Sequence, residues 1–335
     1  MKNVRLEDIA KKLNLTKVSV SKALRDHKDI SLSTRKKVKA MAKKMGYHPN
    51  LQARSLTSRE TKTIGVIVPK IAHTFFAATI EGIYKTAEEK GYRILLGVSY
   101  ENKDLEQEHI NAMINMRVDG LVVSVTEQTQ DAKIFDTVRD MGIHLVFFDR
   151  GFSDVGYSYI KVEDKESARK GVHHLIDLGY KEIAHLSGYQ TSRIGLERRM
   201  GYEQALADAN IEMSENAIIE GGFSEKDGSS GFEKLLISYG NVNAIFAVTY
   251  PVGLGILNKM DSLGIDPSST TILTFGGSLF NRYLSHPFIC IDQPNYKLGQ
   301  KTIERLLLEI ESSESLDPVT IQLPAKVQTE NKKLS

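Results

Sequence analysis

The chain has 335 residues, too many for one simple core, and its 41% hydrophobic and 26% charged residues are those of an ordinary globular protein of two or three domains. No stretch approaches the length of a membrane span, no apolar signal core follows Met1, and the lone Cys290 rules out a disulfide framework. The expected setting is therefore cytoplasmic and reducing.

The formal charge of +2 conceals an asymmetry. Residues 1–60 hold 16 Lys and Arg against 5 Asp and Glu, whereas the other 275 residues hold 28 against 37. A basic head on an acidic body suits attraction to a polyanion through counterion release, although charge alone leaves a merely solvated helical domain open.

In chain order, Leu6, Ile9, Ala10 and Leu13 recur at helical spacing. A break at Asn14-Leu15 precedes a second helix over Thr16–Leu24, with Thr16 as N-cap and Lys17, Val18, Ser21 and Lys22 facing outward. This helix–turn–helix spacing presents a helix sized for the major groove. A third helix spans 32–45, with Leu32, Val38, Met41, Ala42 and Met45 inward and five lysines outward, and ends at Gly46. Asn50–Ser58 is too short to be a stable helix alone, and 57–63 reads as a linker.

From Ile64 the pattern becomes α/β. Strands are predicted at 64–68, 93–98, 120–125, 143–148, 183–186, 244–248 and 271–275, and helices at 76–90, 105–116, 132–141, 165–178 and 196–209. Several helices finish in glycine before the next strand, as at Gly91, Gly142, Gly179 and Gly264. So many repeats imply two doubly wound parallel-sheet subdomains, with ligands at the carboxyl ends of the strands. No phosphate-binding glycine loop and no metal-spaced cluster appears, so no cofactor, metal or enzymatic activity is expected. His173 and His174 are consecutive on a helix and point apart.

The head segments 4–10, 18–24 and 30–38, with Gly46-Tyr47-His48-Pro49-Asn50 and Ala53-Arg54-Ser55-Leu56, resemble the lactose/galactose-repressor family of bacterial transcription regulators. So do 63–69, Phe75-Phe76, Val118-Asp119-Gly120-Leu121, Phe148-Asp149-Arg150, 198–202, Asp292-Gln293-Pro294 and Leu298-Gly299. The resemblance covers essentially residues 2–325. It implies a small all-α helix-turn-helix head (1–49), a hinge helix and linker (50–60), and a periplasmic-binding-protein-like core, with a polar tail at 325–335. The core N-subdomain would be 61–160 plus 292–324 and the C-subdomain 162–290. A homodimer on a palindromic operator is implied, the tail lacking a leucine heptad for tetramers.

The resemblance also implies residue roles. Lys17, Val18 and Lys22 would read bases. Thr16, Ser19, Ser21, Ser31 and Thr34 would offer hydroxyls to phosphates, and Leu6 would join the same interface. The family usually has Arg where this chain has Lys22, which lacks the planar fork. Asn50, Ala53, Arg54 and Leu56 would form the minor-groove hinge element, with Leu56 as the wedge at the central step or, alternatively, a staple to the body. Effector contacts would be Phe75, Ser124, Asp149, Ser192, Arg198 and Phe223, for a carbohydrate or related metabolite. Plainer roles stay open: Phe75 and Phe223 as core, Asp149 as a helix cap or paired with Arg150, and Arg198 paired with Glu163 or Asp164. Two departures bear on the ligand. Thr249-Tyr250 replaces the family's usual Asn-Asp, and Gly276 its Asp, so Tyr250 and the space left by the glycines point to a larger, more aromatic or anionic ligand. A site given over to a protein partner and a transporter's solute-binding protein are the alternatives.

Overall fold

The computed structural model describes residues 4–47, 60–72, 74–277 and 281–328. The chain forms two compact units that divide at Thr61 and Lys62. The hinge residues Asn50, Ala53, Arg54 and Leu56 lie outside the described residues.

In the first unit α1 (Leu6–Leu13) and α2 (Lys17–Leu24) are joined through Asn14, which is left-handed at φ 53°. Thr16 caps α2 as expected, its Oγ1 accepting from the Ser19 N–H at 3.0 Å. Ser31 caps α3 (Leu32–Met45) in the same way, accepting from the Thr34 N–H at 3.3 Å. Ile9, Ala10, Val20, Ala23, Val38 and Ala42 close the three-helix core. Leu32, expected inward, is instead 62% exposed. Six residues before Val38, it lies roughly a third of a turn off the buried stripe.

The second unit holds two six-stranded sheets. The first contains β1 (Thr63–Val68), β2 (Arg93–Val98), β3 (Gly120–Val123), β4 (His144–Phe148), β5 (Ser158–Val162) and β11 (Thr320–Leu323), ordered β11-β5-β4-β3-β1-β2 and wholly parallel. The second contains β6 (Ile183–Ser187), β7 (Ile218–Glu220), β8 (Ala244–Ala247), β9 (Thr271–Phe275), β10 (Ile289–Asp292) and β12 (Lys326–Gln328), ordered β12-β10-β9-β8-β6-β7. Only β12 runs antiparallel, against β10. Fully buried runs such as Gly120–Val123 and Ala244–Ala247 show helices covering both faces.

Helices α4 (Thr74–Glu89), α5 (Lys103–Asn115) and α6 (Asp136–Asp140) belong to the first sheet, and α7 (Asp164–Asp177), α8 (Arg193–Asp208), α9 (Glu225–Ser238) and α10 (Tyr250–Ser262) to the second. Only a 3-10 turn at Lys133–Phe135 and the short α6 form where a full helix at 132–141 was predicted. The chain crosses between lobes three times, after β5, after β10 and after β11. After the second crossing α11 (Asn295–Glu311) returns to the first lobe, burying Leu298, Ile303, Leu306 and Leu307 in its core. The stretch predicted as a polar tail begins with the edge strand β12, because Ala325 and Val327 pack into the second lobe's core. The four glycines at helix ends have φ of 76°, 66°, 96° and 66°, the left-handed turn that lets each helix stop and the next strand begin.

Candidate DNA-binding head and interlobe cleft

The second head helix presents Val18, 63% exposed, beside Lys17 and Lys22. Both lysines hold acidic neighbours: Lys17 Nζ lies 2.9 Å from Glu7 Oε1, and Lys22 Nζ 2.9 Å from Asp29 Oδ2. Thr16 and Ser31 stand at the first turns of α2 and α3, and each is also bonded through its hydroxyl to a second, Ser19 and Thr34, at 2.9 Å. Four of the predicted phosphate-contacting hydroxyls thus gather at two helix N-termini, where backbone N–H groups and the helix dipole favour an anion. Ser21 is half-buried, and Leu6 packs on the head core rather than standing free.

In the larger unit a cleft is lined from both lobes. Lys70 follows β1, Asp149 and Arg150 follow β4, Thr249 and Tyr250 follow β8, and Gly276 and Gly277 follow β9. These are the carboxyl ends of the strands, where doubly wound sheets place ligands. Phe75, Arg198 and Phe223, contacts that the resemblance implies, line this cleft, and so does Tyr250, one of the departures from the family pattern. Ser124 stands behind Asp149, its Oγ donating to Oδ2 at 3.4 Å. Ser192 lines an adjoining hollow that shares Arg150 and Ile194 with the first.

Asp149 is the focus of the cleft. It has a left-handed backbone at φ 56° and is 92% buried, being 8% exposed. Burial pushes its carboxyl up to about 7, with Arg150 pulling the other way and Asp164 adding to the rise. Neither nearby guanidinium closes on it. Arg150 Nη1 donates to both Glu101 oxygens at 2.9 and 3.1 Å, and its Nε stays 4.0 Å from Asp149 Oδ2. Arg198 donates from Nε to Asp164 Oδ1 at 2.8 Å and from Nη1 to the Val248 carbonyl at 2.7 Å. Its Nη2 also reaches Asp164 at 2.7 Å, and the guanidinium covers Phe275 at 3.7 Å from the ring centre.

Arg198 therefore has its charge answered from within the chain, which removes the argument for an anionic ligand. The space expected beside the glycines is filled as well. The Tyr250 ring lies directly against Gly277, where any Cβ would collide with it, and Gly277 is left-handed at φ 82°. Phe75 is 7% exposed and edge-on to Phe76 with centroids 5.1 Å apart, so it serves the core and the cleft wall together. Phe223 stands edge-on to Tyr189 at 6.1 Å. Lys70, Arg150, Phe275, Gln293 and Asn295 also line the cleft and were missed in the sequence. Their position just beyond, or at the end of, a strand was the available signal. Among the described residues no group of His, Cys, Asp and Glu could hold a metal ion, and no helix is long and apolar enough to cross a membrane.

A helix-turn-helix head carried with a two-lobed, cleft-bearing α/β core defines a DNA-binding regulator with a small-molecule-binding fold. The core matches the family described as periplasmic binding protein domain over residues 64–307, and the head matches bacterial regulatory proteins, lacI family, over residues 5–50. The chain belongs to the lacI family of bacterial transcription regulators. Catabolite control protein A of Priestia megaterium is 28% identical over 97% of this chain and 98% of that protein. Among solved structures, a lac repressor dimer bound to operator and an anti-inducer has a TM-score of 0.84 at 22% identity, covering 98% of both chains. A complex of the regulator CelR with cellobiose has a TM-score of 0.73 at 24% identity, covering 97% of this chain and 98% of that one. The two-subdomain α/β fold and the helical head predicted from the sequence are those of this family.

Proposed function

We propose that the chain is a cytoplasmic repressor that binds a palindromic operator as a homodimer and acts by binding alone, without catalysis. A small polar metabolite of the carbohydrate class in the interlobe cleft sets its operator affinity. Lys17, Val18 and Lys22 read bases, and Thr16, Ser19, Ser21, Ser31 and Thr34 meet phosphates with Leu6 supporting the helix. The hinge segment with Asn50, Ala53, Arg54 and Leu56 pairs with its twin over the minor groove.

The observation that carries the reading is the cleft itself. A nine-tenths buried carboxylate, Asp149, is aimed into a cavity walled by Phe75, Phe223 and Tyr250, where strands of both lobes end. A ligand gripping both walls changes the angle between lobes, and that change alters hinge spacing in the dimer. The cellobiose complex of a relative with this fold supports the ligand class, and the operator-bound dimer supports the assembly.

The test pairs two variants on the full chain. Leu56→Ala should weaken operator binding at least tenfold while leaving the core's melting temperature unchanged, and deletion of residues 1–60 should abolish operator binding. Undiminished binding by either variant refutes the assignment.

A further inference from the structure

The charges that line the cleft are unequally answered from within the chain. Three cations, Lys70, Arg150 and Arg198, and one carboxylate, Asp149, line it. Glu101, Glu106, Glu127 and Asp164 stand behind these walls. Arg150 answers Glu101 and lies 3.7 Å from Glu127. Arg198 answers Asp164, and Lys70 reaches Glu101 at 3.8 Å. Glu106, fully buried, accepts from the Thr126 N–H and the Thr129 hydroxyl, both at 2.7 Å, and has no ion pair among the described residues.

Asp149 is the carboxylate that reaches the cavity, and its nearest cation, Arg150, stays at 4.0 Å because that guanidinium is bonded to Glu101. Its Oδ2 receives one long bond from Ser124, and among the described residues no hydrogen bond reaches Oδ1. Tyr159 on β5 donates to the Asp149 backbone carbonyl at 2.7 Å and leaves the carboxyl alone. A carboxylate so buried is stable in its charged form only with a cation or several donors against it. The surrounding wall is aromatic: Phe75, Phe223 and Tyr250 line the same cavity, Arg150 already lies 5.9 Å from the Phe223 ring centre, and an aromatic face attracts positive charge. A phosphate or carboxylate ligand finds the opposite, since Arg198 is already spent on Asp164, Val248 and Phe275.

We propose that the effector carries a protonated amine that pairs with Asp149, an amino sugar being the form that fits a cleft with this polar and aromatic lining. The proposal rests on the cleft being the effector site. The ligand's ammonium donates to Asp149 while its ring stacks on the aromatic wall. Asp149 is then the residue that decides between an amine and a neutral ring of the same shape.

The experiment measures melting temperature and operator affinity of the full chain with matched probes at pH 7.5. One series is glucosamine, galactosamine and mannosamine against the parent hexoses, their N-acetyl derivatives and the hexose 6-phosphates. A second, of different ring shape, is phenylethylamine against phenylethanol. At least one amine should bind ten times or more tighter than its neutral and anionic counterparts, and Asp149→Asn should reduce that ratio to near one. Circular dichroism melting of Asp149→Asn establishes that the variant is folded. A hexose or a hexose phosphate binding as well as its amine counterpart refutes the cationic ligand while leaving the cleft as effector site. If no probe of either series shifts melting or operator affinity, the amine proposal and the small-molecule reading of the cleft both fail.

Discussion

Lys161 on β5 of the first lobe reaches Glu197 on α8 of the second, with Nζ 2.6 and 2.9 Å from the two carboxylate oxygens. The lysine is 5% exposed, so this is a desolvated ion pair joining the lobes beside a crossover. Its two members are not equivalent. Glu197 also takes Arg193 Nε at 2.8 Å, whereas among the described residues Lys161 pairs with Glu197 alone.

Removing one side of the pair should therefore show an asymmetry. Glu197→Gln strands a buried ammonium, and loss of one partner of a buried pair typically costs about 3–5 kcal/mol. Lys161→Met leaves Glu197 with Arg193 and room for solvent, and the unbranched replacement fills most of the lysine's volume. Urea unfolding should rank Glu197→Gln clearly below Lys161→Met. Equal stabilities would mean that the pair is already hydrated in solution.

Asp149 makes a prediction of the opposite sign. Its carboxyl titrates near 7 in the folded chain and near 3.8 when unfolded. Between about pH 4 and 7 the unfolded chain has released a proton that the folded chain keeps, so folding stability falls as pH rises through that window. Above pH 7 the loss is complete, on the order of 4 kcal/mol from about three pH units of displacement. Asp149→Asn should raise the melting temperature at pH 8 and change it little at pH 4. Asparagine also tolerates the left-handed backbone at this position.

His185 has the reverse pH dependence. It is fully buried on β6, stacked at 4.5 Å on Phe246 and 5.0 Å on Tyr202, and its Nδ1 lies 2.8 Å from the Phe246 carbonyl oxygen. Burial pushes its pKa down to about 3. The folded chain thus keeps the ring neutral while the unfolded chain protonates it below about pH 6.5. Its contribution is complete above pH 6.5 and lost toward pH 3, with a slope of about 1.4 kcal/mol per pH unit. His185→Gln should be less stable at pH 7 yet lose less stability on acidification to pH 4. Because the Asp149 and His185 slopes oppose each other over pH 4–6.5, each single variant should tilt the parent's stability curve in its own direction.

These buried groups mark where sequence reading stops. The helix-turn-helix was legible because periodicity, Thr16 as a cap and the charge split agreed. The seven strands named in advance were legible because they are continuous apolar runs. β7 and β12 are three residues each, and β11 has a half-buried pattern, so periodicity had little to register. Phe75, Asp149, Arg198, Phe223 and Tyr250 could be proposed for one cleft from the resemblance. What could not be read was how their charges are spent. The pairing of Arg198 with Asp164 stood as one of two pairings left open by the sequence, but that Asp164 takes the guanidinium and that Tyr250 fills the space beside Gly277 depend on side chains from elements far apart in sequence.

The head offers the last test. Lys17 and Lys22 are both engaged by acidic neighbours, Glu7 and Asp29, on an exposed surface. Solvated pairs of this kind are weak and are screened by salt, so a phosphate or a guanine edge can displace the carboxylate readily. Lys22→Ala should lower operator affinity roughly tenfold or more if the lysine reads a base, chiefly for the specific site. A lysine that only meets phosphate would weaken every duplex alike and reduce the salt slope by about one. Asp29→Asn separates the two further: freeing Lys22 should tighten nonspecific binding at low salt and leave specific discrimination unchanged. Fluorescence anisotropy titrations of operator and scrambled duplexes, at two salt concentrations, resolve the choice. Identical losses on both duplexes would move Lys22 from base reader to backbone contact.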